Sequence, residues 1–183
     1  MKISKQQLID MKACKDGIER FIEQTNNTEK HVEVLSLIGG MNTVDDLIWL
    51  AGETLPKEKL VRFTCDLALI NIENIKLYTE KYDLIVEFLM NPTTARVADS
   101  AAALRAAAVH ANAAAVYTAR VAARAADALH AARVAADDAD ALHAAIYDIY
   151  DAVDSAVNAA VRAGATQDQI NTLLVKMFDG DNL

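Results

Sequence analysis

Apolar positions recur at helical spacing along nearly the whole chain, and the period-two alternation of strands is almost missing. Ser4-Lys5-Gln6-Gln7 has the form of a capping box, with the Ser4 oxygen placed to accept a backbone N–H. The pattern predicts a helix carrying Leu8, Ile9, Met11 and Cys14, interrupted at Asp16-Gly17, with Ile18, Phe21 and Ile22 forming the next apolar stripe. Thr25-Asn26-Asn27-Thr28 reads as a turn. A second helix over 29–38 is expected to end at Gly39-Gly40, where glycine can take the left-handed terminal conformation. Thr43-Val44-Asp45-Asp46 reads as a helix start, a Thr cap followed by acids in the first turn. That helix carries Leu47, Ile48, Leu50 and Trp49, the only tryptophan. Pro56 suits a first helical position, where its missing N–H costs nothing. Leu60, Phe63, Leu67 and Ile70 then mark a core stripe on a helix predicted to reach about Tyr78. Another helix, from Tyr82 to Met90, ends at Asn91-Pro92.

Beyond Pro92 the pattern changes. From Thr94 to Ala163 there is neither Gly nor Pro, and 32 of the 71 residues between Ala95 and Ala165 are alanine. Alanine is the strongest helix former, so the segment reads as helical throughout. As one rod it would span roughly 100 Å at 1.5 Å per residue, so two or three folded-back helices are expected. Asn112 and Asp137-Asp138 are the expected breaks, because Asn and Asp favour caps over helix interiors. Gly164 ends the segment. Thr166-Gln167-Asp168-Gln169 is a second capping box, opening a helix with Ile170, Leu173, Leu174 and Met177 on its apolar face. The fold class is therefore all-α: a helical bundle with an N-terminal lobe of short helices (1–92) and an Ala-rich segment plus a C-terminal amphipathic helix (93–183), forming one cooperative unit.

The phrase Ala-Asp-Ala-Leu-His-Ala-Ala occurs twice, at 126–132 and 139–145. The larger side chains Leu104, Val116, Leu129 and Leu142 follow at steps of about 13 residues, which on a straight helix would not share a face. Such units are also shorter than solenoid repeats. The spacing fits expansion of an Ala-rich stretch, or helices that reverse direction.

Charge narrows the partners. The chain has 183 residues and a net charge of −8, with the excess of acid in both halves. An acidic chain repels phosphate backbones, so no nucleic-acid partner is expected. Cys14 and Cys65 lie in apolar helical patterns and read as buried free thiols of a reducing compartment. The first residues lack the apolar core of a signal peptide, and no predominantly apolar run reaches about 20 residues, so neither export nor a membrane partner is expected. The expected location is the cytoplasm. Few large side chains stand on the long alanine surface, which predicts a homo-oligomer.

A polar row crosses the alanines about once per turn: Tyr117, Arg120, Arg124, Asp127, His130, Arg133, Asp137, Asp140, His143, Tyr147, Asp151, Asp154, Asn158 and Arg162. One reading is a solvated face with ion pairs such as Arg124–Asp127 and Arg133–Asp137. The other is a cleft between closely packed helices. There, Arg would grip a phosphate through its fork and Tyr would stack on a base. Under that reading the ligand contacts are Tyr117, Arg120, Arg124, Arg133, His143, Tyr147 and Tyr150. Asp127/His130 and Asp140/His143 have the three-residue spacing of some metal ligands, but the partner glutamates of such sites are not evident and no metal is predicted. No catalytic motif is evident, so neither an enzyme nor a cofactor is predicted.

The N-terminal half carries Leu8, Met11, Ala13, Cys14, Asp16-Gly17 and Phe21, then Asp45-Asp46-Leu47-Ile48-Trp49-Leu50-Ala51, then Leu60, Arg62, Phe63, Cys65, Asp66 and Ala68. In these residues, and in the Ala-rich half that follows, the chain resembles the Imm-5-like immunity proteins of bacteria and phages. The resemblance supplies no catalytic residues. It implies a protein that neutralises something by binding, of phage counter-defence or immunity type. Two forms are expected: sequestration of a small phosphorylated or nucleotide-like signal, or an acidic inhibitor that docks on a toxin or host defence enzyme.

Overall fold

A computed structural model describes residues 1–92, 116, 120, 123 and 139–179, with the backbone alone for 139–148. The fold is all-α, apart from one two-stranded ribbon among the described residues. Its elements are β1 (Lys2–Ile3), α1 (Lys5–Asp10), α2 (Lys15–Gln24), β2 (Val32–Glu33) and a 3₁₀ turn at Val34–Leu37. Next come α3 (Val44–Thr54), α4 (Lys57–Ile70), a 3₁₀ stretch at Ile72–Tyr78 and α5 (Tyr82–Met90). The C-terminal part contributes α6 (Ala139–Arg162) and α7 (Gln167–Phe178). The expected folds-back at Asn112 and Asp137-Asp138 lie outside the described residues.

Three capping boxes fix three helix starts. Ser4, Thr43 and Thr166 each accept from the backbone N–H three residues on, while Gln7, Asp46 and Gln169 reach back to the cap. α1 is shorter than the stripe predicted. Lys12 takes a left-handed φ of 63°, and the Ala13 N–H closes the end of the helix on the Leu8 carbonyl at 2.9 Å. The break therefore falls at Lys12 rather than Asp16-Gly17, and Cys14 becomes the cap of α2, its sulfur accepting from Gly17 N–H at 3.3 Å. Cys14 is consequently exposed, against expectation, while Cys65 is fully buried. Asn26 and Asn27, with φ near 50°, make the turn after α2.

The helix expected over 29–38 is a strand followed by a 3₁₀ turn. Val32 pairs with Ile3 and Glu33 with Lys2, and Val34 N–H donates to the Met1 carbonyl at 2.9 Å. Ten residues make a marginal helix on their own, and the β-branched Val32 and Val34 suit extended backbone, so pairing with the N-terminus prevails. α4 likewise stops at Ile70, short of Tyr78. Pro56 caps it from just outside.

α4 is the centre of the core. It presents Leu60, Phe63, Leu67 and Ala68, all 2% exposed or less, and packs against α3, α5, α6 and α7. The face of α6 turned inward is built from Ile149, Ala152, Val153, Ala156 and Ala160. Alanine methyls let its backbone lie close to α3 and α4. One consequence is Gly52 on α3, over which the Tyr150 ring lies, so that a Cβ there would overlap the ring and its hydroxyl. Gly52→Ala must push Tyr150 off α3, at about 1.5 kcal/mol for overpacking. Urea unfolding of the variant checks this; unchanged stability would place Tyr150 elsewhere.

Candidate functional site

α2 and α3 are held together by one bidentate ion pair. Arg20 Nε and Nη2 donate to the two oxygens of Asp46, each at 2.7 Å. The same carboxylate accepts from Thr43 N–H at 2.9 Å to complete the cap of α3. Burial alone would raise the Asp46 carboxyl, but the hydrogen bonds from Arg20 and Thr43 outweigh it and hold it below the usual range. The approach is close enough that a Cβ on Gly17 would lie 3.0 Å from Asp46 Oδ1. Gln24, at the end of α2, accepts from Met41 and Asn42 N–H at 2.8 and 3.0 Å and donates to the Ser36 carbonyl at 2.9 Å. This clamps the loop between the 3₁₀ turn and α3.

Between these fixed pieces, α1, α2 and α3 enclose a cavity of about 550 Å³. That lies within the range of small-molecule sites. Its floor is the buried Leu8, Phe21, Leu37, Leu47 and Leu50; Ala13 and Trp49 line it part-way out. Lys12, Cys14, Asn42, Thr43 and Asp45 bring polar groups to it. Asp45, on the first turn of α3, is exposed but partly desolvated, and lies near the charge of Asp154 on α6. Burial first, then the Asp154 charge, raises the Asp45 carboxyl.

The residues predicted as ligand contacts are placed differently. Tyr117, Arg124 and Arg133 lie outside the described residues, as do the side chains of His143 and Tyr147 on α6. Arg120 has helical backbone and an exposed side chain. Tyr150 turns to α3, its hydroxyl donating to the Trp49 carbonyl at 3.1 Å and to Glu53 at 3.3 Å. Asp151, Asp154, Asn158 and Arg162 occupy the exposed face of α6, as the solvated reading of the row expects.

The cavity draws on other residues. Arg20, Lys12 and Asn42 carried no signal beyond their surface-like sequence setting. Leu8, Ala13, Cys14, Gly17, Phe21 and the run Asp45–Leu50, by contrast, are among the residues that carry the resemblance, and nearly all of them line the cavity. Cys65 is remote from it, and burial pushes its thiol up to about 12, so it stays protonated and unreactive. Among the described residues no group of three His, Cys, Asp or Glu is placed to hold a metal ion, and no helix is long and apolar enough to cross a membrane. No protein-family model, curated protein or solved structure matches this chain.

Proposed function

We propose that the protein acts by binding, holding a small ligand in the cavity between α1, α2 and α3 and so removing it from circulation. The observation that carries this reading is the cavity itself: about 550 Å³, apolar at its floor, with polar groups from three elements around it. Apolar walls supply affinity by releasing water, and a few fixed polar groups supply orientation. The wall is rigid where it matters, because Arg20–Asp46 and Gln24 lock α2, α3 and the loop between them. Sequestration of this kind is the role that the immunity-like resemblance implies.

The test uses the chain's own reporter. Trp49 lines the cavity and is the only tryptophan, so an occupant changes its emission. Titration with a panel of nucleotides, phosphorylated metabolites, neutral apolar molecules and amines is expected to give a saturable shift with at least one class. Ala13→Phe, which fills the cavity from its half-buried wall, is expected to weaken that binding about tenfold or more, equivalent to losing about 1.4 kcal/mol. Saturable binding should also raise the melting temperature. No saturable change in Trp49 and no thermal shift with any class would overturn the reading.

A further inference from the structure

The polar groups of the cavity are largely spent on one another, and that restricts what it can hold. Its lining carries two cations, Lys12 and Arg20, and two anions, Asp45 and Asp46, so their formal charges cancel. Arg20 and Asp46 cancel directly, because Nε and Nη2 donate to both carboxylate oxygens at 2.7 Å. The Asp46 carboxylate also accepts from Thr43 N–H, and the Thr43 hydroxyl oxygen accepts from Asp46 N–H, so both side chains serve the start of α3. Lys12 and Asp45 are exposed, where water screens their charges. Asn42 is oriented by Gln24, whose Oε1 accepts from the Met41 and Asn42 backbone N–H groups and from Asn42 Nδ2 at 2.9 Å. The Asn42 side-chain oxygen is thereby left without a partner among the described residues. The indole N–H of Trp49 has none among them either. The floor of Leu8, Phe21, Leu37, Leu47 and Leu50 offers an ion no counter-charge.

Resting on the binding reading above, we infer that the ligand is an uncharged molecule, with an apolar body on this floor and a neutral hydrogen-bonding group such as a hydroxyl. A hydroxyl both donates and accepts, which suits an unpaired amide oxygen and an unpaired indole N–H. A phosphate or carboxylate would have to draw Arg20 from Asp46 and leave that half-buried acid without its counter-charge. An ammonium would meet only the exposed Asp45, and an ion held among apolar side chains without a partner is costly.

Three probes of one shape test this: hexanol, hexanoate and hexylammonium, each titrated against the intact chain at neutral pH with Trp49 emission as readout. Hexanol is expected to bind about tenfold tighter than either ion. Asp46→Asn keeps one acceptor oxygen for the Thr43 cap and removes the counter-charge of Arg20. It is expected to tighten hexanoate about tenfold, the size of one good charged contact, and to leave hexanol nearly unchanged. If that variant does not fold, the order of the three probes on the wild type still decides. If hexanoate or hexylammonium is the tightest, or all three bind alike, the inference is overturned while the cavity stands. A folded Asp46→Asn variant that gains nothing for hexanoate overturns it too, since Arg20 would not then be held back by its pair. If none of the three moves Trp49, the broader panel decides: a neutral class that binds supports the inference, and a charged one overturns it. Silence across the whole panel takes the binding reading with it.

Discussion

Asp66→Ala is expected to destabilise the protein by about 3 kcal/mol, at the low end for breaking a buried charge network. Asp66 is 8% exposed in the middle of α4. Its carboxylate accepts from Arg62 Nε at 2.9 Å and from Arg62 Nη2, and from Lys176 Nζ on α7 at 2.7 Å. Arg62 Nη1 in turn donates to the Met90 carbonyl at 2.8 Å, at the end of α5. One acid thus joins three helices, α4 to α7 directly and to α5 through a guanidinium. Alanine would leave two cations facing each other with no counter-charge. Lys176, nearly half exposed, can swing into water, which keeps the cost below the upper end of the range. Urea unfolding should separate the contributions. Asp66→Asn keeps some acceptor capacity and should cost less. Lys176→Met removes only the exposed arm and should cost under about 1 kcal/mol. If Asp66→Ala costs no more than Lys176→Met, the carboxylate does not organise these helices.

That network shows where the sequence was legible and where it was not. The helix starts were readable because a capping box is local: Ser4/Gln7, Thr43/Asp46 and Thr166/Gln169 each sit within one turn. The stripe Leu60, Phe63, Leu67 was readable because helical period alone puts those positions on one face. The segment 29–38 was not, since its strand exists only through Ile3 and Lys2, some thirty residues away. The end of α1 was hidden for a different reason: its left-handed residue is a lysine, where glycine would have marked it.

The site followed the same division. Asp46 reads as a first-turn acid, and that is half of what it does; its pairing with Arg20 spans 26 residues and leaves no local trace. Tyr150 is expected from the sequence to contact a ligand alongside the polar row. On the helix it stands at the edge of that row, where the missing side chain of Gly52 gives its ring a place to lie. The cavity rests on the first of these relations, because Arg20 and Asp46 join α2 and α3, which form its walls. An inventory of chemically rich residues thus favoured the Arg- and His-bearing row. The cavity is instead made mainly of leucines, one tryptophan and a few first-turn polar groups.

Asp46→Ala is expected to cost about 2 kcal/mol at neutral pH, combining a lost cap of about 1 kcal/mol with the loss of its charge-assisted bonds. The pH dependence identifies the cause. The folded carboxyl of Asp46 is held below its ordinary range, so its contribution is complete above that range and disappears as pH falls through the lowered value. Asp45 has the opposite sign. Its folded carboxyl is raised, so ionisation opposes folding at neutral pH, and that penalty is relieved as pH falls through the raised value. Acidification therefore first eases the Asp45–Asp154 repulsion and then, at lower pH, protonates Asp46 and removes its support. The stability gap between the wild type and Asp46→Ala should be widest at neutral pH and should narrow below the ordinary carboxylate range near pH 4. Asp154→Asn should instead be stabilising at neutral pH and lose that advantage as Asp45 protonates. Urea unfolding of the three proteins at neutral and acid pH measures both trends. An Asp46→Ala gap that stays constant with pH would mean that the acid acts only as a steric part of the wall. The walls of the cavity would then owe their rigidity to Gln24 and to packing alone.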